Sequence, residues 1–333
     1  MALPTNTATL YDLTGEREDL SNTIYDISPT QTPVVSMLSR VPATARLHEW
    51  QTDALAAAAA NAKLEGDDPT AQTVTSTTRL NNYCQILEKT VIVSESSRAM
   101  DTAGRADELD YQAMKIGEEV KRDIELAVTQ NQSSSVGGSG TARQMGSIES
   151  WLKSTGADAS APYTTLQARS AASTAATSAG WAASVVAAPT DGTLTGLVSE
   201  GDLQAVIRQS WVNGGEPSTV VCGPFNKQKI SAFPGIATQQ RDNPRIEQAK
   251  IIAAADLYVS DFGEHAIIPD RFNRDRTILV LDMNFWALAE ARPFTATPLA
   301  KTGDNEKIMV VTELTLEARN PLSSGKIADC DTA

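Results

Sequence analysis

The sequence predicts an α+β fold, and three observations predict it. Apolar residues recur at helical spacing from about Arg105 to Gln130. β-rich, partly alternating runs flank a long loop between residues 46 and 93, and helices alternate with strands from Glu200 onwards. At 333 residues the chain is long enough for one large domain, or two intimate ones, with a buried core.

In chain order, Thr9 to Arg40 reads as an extended arm. Pro29 and Pro33 stiffen it and keep the residues before them extended. A short helix is expected next, with Thr32 as its cap, Pro33 at its first position, and Val34, Val35 and Leu38 apolar. Such an arm either reaches a neighbour or folds back on its own domain, and both readings stay open. Arg46 to Trp50 and Tyr83 to Val93 then read as the two strands of a long hairpin. Between them lie an alanine run at 56–60 and an acidic turn, Glu65-Gly66-Asp67-Asp68-Pro69. An isolated ribbon of this length is marginal in water and needs something to lie on, a neighbouring subunit being one candidate.

The helix carries Leu109, Ala113, Ile116, Val120, Ile124 and Ala127 as one apolar stripe. Glu118, Lys121, Arg122 and Glu125 read as its solvated face. Its length is on the order of 35–40 Å, a spine and not a cofactor cradle. Residues 155–196 turn sharply towards Ala, Ser, Thr and Gly, with Trp181 as the one large anchor, and read as a small-residue surface elaboration or a flexible insertion. From Glu200 come a helix (Asp202 to Asn213), a buried-type strand (Thr219 to Cys222) and a short helix around Asn226 to Phe233. Strands are expected at Leu257–Ser260, His265–Ile268 and Ile278–Leu281, with Asp261-Phe262-Gly263-Glu264 as a hairpin connection. Lys307 to Arg319 is a long alternating strand, with Ile308, Val310, Thr312, Leu314, Leu316 and Ala318 on one face.

Composition narrows the function classes. The chain is 41% hydrophobic, 21% charged and only 5% aromatic, with a formal net charge of −13. It lacks the basic footprint of a nucleic-acid binder. No window approaches the roughly 18 consecutive apolar residues of a membrane span, and Met1 to Thr14 has neither the basic nor the apolar region of a signal peptide. Three widely spaced cysteines, Cys84, Cys222 and Cys330, do not make a disulfide framework and point to a reducing cytoplasm.

Catalysis needs a constellation of residues, and the sequence supplies none, so the expectation is no catalytic, cofactor-binding or metal site and no cofactor. His48 and His265 are the only histidines, each on an expected strand without a second ligand at i+2 or i+4. His48-Glu49 opens a zinc-protease motif that lacks its second histidine. Gly137-Gly138-Ser139-Gly140-Thr141 is similar to a phosphate loop but lacks the Gly-Lys-Ser/Thr ending and follows a helix. Gly66-Asp67-Asp68 reads as an exposed turn and not a metal motif. Asn131-Gln132-Ser133 matches a glycosylation pattern in a chain with no secretion signal, and the cysteines read as core fillers. The resulting reading is a structural subunit that assembles with copies of itself, and not an enzyme.

Ten stretches in order carry a family resemblance: YDLTGEREDL (11–20), ISPTQTP (27–33), LHEWQTD (47–53), LEGDD (64–68), VKRDIE (120–125), GPFNKQKI (223–230), YVSDFG (258–263), RPF (292–294), LAKTGD (299–304) and LEARN (316–320). Together they resemble the major capsid proteins of tailed phages and prophages, over nearly the whole chain except roughly 155–195. The resemblance implies the HK97-like capsid fold: an N-terminal arm (1–45), an extended hairpin loop (46–93), a peripheral domain with the spine helix (94–199), an axial domain (200–300) and a return to the peripheral domain (301–333). It implies a shell of hexamers and pentamers around double-stranded DNA that is enclosed but not specifically bound, in a virion assembled in the bacterial cytoplasm. The implied partners are further copies of the chain, a portal protein, a decoration protein where one is used, and no membrane. Family-like residues begin by Tyr11, so a separate scaffolding protein is expected in place of a fused one. Some capsids of this fold join a lysine to an asparagine between subunits; Lys63 and Asn320 match no such motif, and a noncovalent shell is expected. An encapsulin-like compartment and an α/β hydrolase are the alternatives.

Overall fold

The structure, a computed structural model, describes residues 28–100 except 54, 57, 67, 69, 70, 72 and 75, residues 107–152, residues 186–233 except 190, 192, 193 and 195, and residues 256–332. Its helices are α1 (Pro33–Met37), α2 (Glu95–Ala99), α3 (Glu108–Thr129), α4 (Ile148–Trp151), α5 (Glu200–Val212) and α6 (Pro224–Ser231). Its strands are β1 (Ser39–Pro42), β2 (Leu47–Thr52), β3 (Thr78–Tyr83), β4 (Gln85–Ser94), β5 (Thr219–Cys222), β6 (Leu257–Ser260), β7 (Gly263–Pro269), β8 (Ile278–Leu281), β9 (Trp286–Leu299), β10 (Asn305–Ala318) and β11 (Gly325–Ile327). The α+β class read from the sequence is the class observed.

The spine helix α3 begins where Asp107 accepts a hydrogen bond from the Leu109 amide at 2.8 Å, and Glu108 and Asp110 complement the positive end of its dipole. Its stripe of Leu109, Ile116, Val120, Ile124 and Ala127 is buried against a sheet of order β1-β9-β10-β4. In that sheet β1 runs parallel to β9 and the other pairings are antiparallel. One expectation for this helix fails: Glu125, assigned to the solvated face, is fully buried. Its two carboxylate oxygens accept from the Val34 and Val35 amides at 2.7 and 2.8 Å. Glu125 thus caps α1, which Thr32 does not do through its side chain.

A second sheet has the order β11-β8-β5-β7-β6. β5 and β8 are buried along their whole length, because both faces of this sheet are covered. The strand period of two splits their side chains between two cores. Val220, Ile278 and Val280 join Leu203, Val206 and Ile207 of α5 and Ile230 of α6. Val221, Leu279 and Leu281 join the spine-helix core with Trp286 and Trp151. The two layers therefore share a continuous interior. Trp286 is its largest anchor beside Trp151, fully buried with its indole N–H donating to the Ser324 hydroxyl at 3.0 Å. Trp286→Ala is expected to cost about 3–5 kcal/mol in urea unfolding, from lost burial and the cavity left behind.

Strand pairing departs from the sequence reading in two places. The partner of β2 is β3, with Trp50 opposite Leu80, and not the 83–93 run. That run becomes β4, pairs with β10, and turns its alternate residues Leu87, Val91 and Val93 inward. The chain changes sheet at the buried Cys84, whose amide donates to the Arg46 carbonyl at 2.9 Å. The second departure is β9, which was not anticipated as a strand. Its Pro293 falls in a β-bulge opposite Thr312, and beyond Glu290 the strand is free of β1, so its prolines meet the conditions of an edge. Residues 286–299 lie in the four-stranded sheet and β11 in the five-stranded one. The arm before residue 28 and most of 155–195 lie outside the described residues.

Candidate functional site

The residues singled out for chemistry are separately engaged. His265 is 1% exposed. Its Nδ1 faces the Pro217 carbonyl, which only accepts, so Nδ1 carries the proton and Nε2 accepts from the Ser260 hydroxyl at 2.7 Å. Burial lowers its pKa, so it stays neutral, and the third partner is a carbonyl where a triad would have a carboxylate. The arrangement ties the β6–β7 turn to the chain before β5. Cys84 and Cys222 are pushed by burial up to about 11 and about 12, out of the range of a thiolate nucleophile. Asn131 donates to the Pro189 carbonyl at 2.6 Å. Among the described residues no group of three or more His, Cys, Asp or Glu side chains is placed to hold a metal ion.

The glycine-rich segment is a small hairpin and not a phosphate loop. Gly138 and Thr141 exchange backbone hydrogen bonds, and Ser135 bridges Gln144. Gly137 has φ +68°, and a Cβ there would lie 2.8 Å from Cγ of Arg143, so only glycine lets the two arms close. Gly66 is likewise at positive φ (+84°), at the turn of the long hairpin, with nothing within 4 Å of where its Cβ would be. Glu65, Gly66 and Asp68 of that turn are exposed.

The arrangement that stands out is the hairpin β2–β3 itself. One face of its root is fastened to the end of β10. Trp50 donates to the Ala318 carbonyl at 2.9 Å and packs against Trp151, with ring centroids 5.4 Å apart. His48 Nε2 lies 2.9 Å from Glu317, and this hydrogen bond holds the Glu317 carboxyl below its ordinary range against the opposing effect of burial. Asn82, fully buried, donates to the carbonyls of Leu316 (2.8 Å) and Gly146 (3.1 Å) and accepts from the Gly146 amide (2.8 Å). Between Thr52 and Thr78 the described residues are all exposed. Leu55, Leu64 and Val74 are 99%, 82% and 93% exposed on the 25-residue segment between the strands, 53–77. Sequence reading found the hairpin but missed Asn82 and Glu317, which carry no local signal. Lys63 is exposed near the tip. Asn320 accepts from the Leu322 amide at 3.2 Å and caps a single 3-10 turn at 321–323. What this geometry can do is grip, with a fastened root and exposed apolar side chains at Leu55, Leu64 and Val74 beyond it.

Comparison with known proteins agrees in kind. The family model described as SU10 major capsid protein matches residues 3–331. The major capsid protein of Escherichia phage Phieco32 is 29% identical, over 95% of this chain and 94% of its own length. Among solved structures, the capsid of a native GTA particle superposes with a TM-score of 0.64 at 12% identity, covering 98% of this chain and all of that one. Gordonia phage Cozz superposes with a TM-score of 0.58 at 13% identity, covering 98% of this chain and 96% of that one. The fold they share with this chain is the HK97-like capsid fold.

Proposed function

Because the chain belongs to the SU10 major capsid protein family, and is the major capsid protein of a tailed phage, we propose that it acts by assembly alone and catalyses nothing. Copies of the subunit form hexamers and pentamers that close into the icosahedral head of the virion around double-stranded DNA. A separate scaffolding protein guides assembly in the bacterial cytoplasm, a portal protein occupies one vertex, and a decoration protein binds outside where the phage has one. The net charge of −13 suits a container that encloses DNA without holding it. Neither the DNA nor a membrane is bound specifically; the described helices include none long and apolar enough to cross a bilayer.

In this reading the arm runs to about residue 45 and the hairpin projects from β2–β3. The peripheral domain is α3 with the four-stranded sheet, and the axial domain is the five-stranded sheet with α5 and α6. The observation that carries the reading is the hairpin, fixed at its root and apolar and exposed beyond it. Sedimentation and negative-stain microscopy of concentrated protein, with and without the scaffold, are expected to show closed shells or regular tubes. A strictly monomeric, compact species under every assembly condition overturns the proposal.

The shell is also held without covalent links between subunits. Asn320 is committed to its own backbone turn, and Cys84, Cys222 and Cys330 are buried. Virions boiled in detergent with reductant are expected to run as one band near 35 kDa. A ladder of dimers, pentamers and hexamers would contradict this, and mass spectrometry of the ladder would identify the linked residues.

A further inference from the structure

We propose that the cavity beside the root of the hairpin is the receptor for the acidic hairpin tip of a second copy of this chain. The inference rests on the shell reading above and names the two surfaces that meet.

The cavity measures about 370 Å³ and is lined by Arg46, Ile86, Val136, Gly137 and Arg143 among others. It is cationic within an acidic protein. Arg46 and Arg143 are among its lining residues, which include no carboxylate; behind the wall Glu313 accepts from Arg143 at 2.7 Å. Arg143 is held in place by construction, because Gly137 at φ +68° lets the 135–144 hairpin close against its side chain. Ile86 and Val136, both partly exposed, add an apolar flank to the charged wall.

The tip is complementary in both respects. Lys63 to Asp68 carries one lysine against three carboxylates, Glu65, Asp67 and Asp68, next to the exposed Leu64. A charged pair at the wall with Leu64 against Ile86 and Val136 gives register as well as attraction. The tip does not serve its own cavity. β2 leads away from Arg46 over six residues, or about 20 Å, the tip turn lies a further dozen or so residues on, and Leu64 stands in solvent. The contact therefore runs from the tip of one copy to the root of the next. Such a head-to-tail interface, repeated with rotation, closes a ring.

The test uses the full chain in particle assembly, with the unaltered protein alongside. Arg46→Glu changes an exposed side chain, and circular dichroism checks that the fold persists. Its particle yield is expected to fall at least about tenfold, as is that of the double variant Glu65→Arg with Asp68→Arg, because like charges then face each other. Combining all three substitutions is expected to restore particles. As a positive readout, Arg46→Cys with Glu65→Cys in one chain, treated with a short bis-maleimide, is expected to link neighbouring subunits into a ladder, the native cysteines being buried. Undiminished yield from Arg46→Glu, no restoration by the combined swap, or monomers alone after cross-linking overturns the contact and leaves the shell reading standing. Unaltered protein that forms no particles overturns both.

Discussion

Replacing Leu55 to Thr77 with a short Gly/Ser linker is expected to leave a soluble, folded subunit that no longer closes shells. The root contacts stay intact in this variant: Trp50 to Ala318, His48 to Glu317 and Asn82 to Leu316 all lie outside the replaced segment. The described residues among those removed are all exposed, Leu55, Leu64 and Val74 almost fully. Thermal unfolding should therefore match the parent closely. Association loses far more. Fully burying one such side chain contributes about 1.5–3 kcal/mol, and each subunit offers all three, although ordering costs keep the net gain below their sum. The contact recurs at every subunit, so a modest loss per copy removes closure. Sedimentation velocity and electron microscopy read the outcome, and normal shells from this variant would place the grip in another part of the molecule.

The second large effect is on folding and concerns Glu125. Glu125→Ala is expected to destabilise the subunit by roughly 2–6 kcal/mol, because two buried amides, of Val34 and Val35, each lose their acceptor. The loss should depend on pH in a defined direction. Burial pushes the Glu125 pKa up to about 7, with the charge of buried Asp270 adding to it, while the two amide bonds work against the shift. The folded protein then holds a proton between the ordinary carboxyl value of 4.5 and about 7 that the unfolded chain releases. Stability from this group is full below that window and falls as pH rises through it, by about 3 kcal/mol in all. The penalty of Glu125→Ala therefore shrinks towards neutral pH, and Glu125→Gln removes the slope.

His265 titrates in part of the same window with the opposite sign, because burial lowers its pKa, so the readout is the difference between variant and parent. Lys326 acts higher. Burial lowers its pKa to about 8, so its contribution to stability rises from pH 8 towards 10.5. Denaturant titrations from pH 5 to 10 follow both groups. An identical slope from pH 5 to 7 in parent and Glu125→Gln would show that Glu125 is not the group responsible.

The alternation of Lys307 to Arg319, the stripe of α3 and the uniformly apolar Thr219–Cys222 and Ile278–Leu281 were legible in the sequence, because each reports a face through its own period. The hairpin and its acidic tip were legible for the same reason, as apolar and turn-forming runs in a chain with no catalytic constellation. Tertiary structure alone decided four things. It turned Glu125 inward, since what satisfies that carboxylate is a pair of amides about ninety residues earlier in the chain. It gave β2 the short strand 78–83 as partner and sent 85–94 to β10, a choice between pairings of similar composition that the buried Cys84 junction settles. It made a strand of the proline-containing segment 286–299, which is admissible because β1 ends opposite Glu290 and, among the described residues, no strand pairs with that side of β9 beyond it. It also brought Arg46 and Arg143, far apart in sequence, to one cavity. Periodicity is a local property of the chain, whereas the partner of a strand edge, of a buried charge or of a loop is a long-range one, set by which elements pack together.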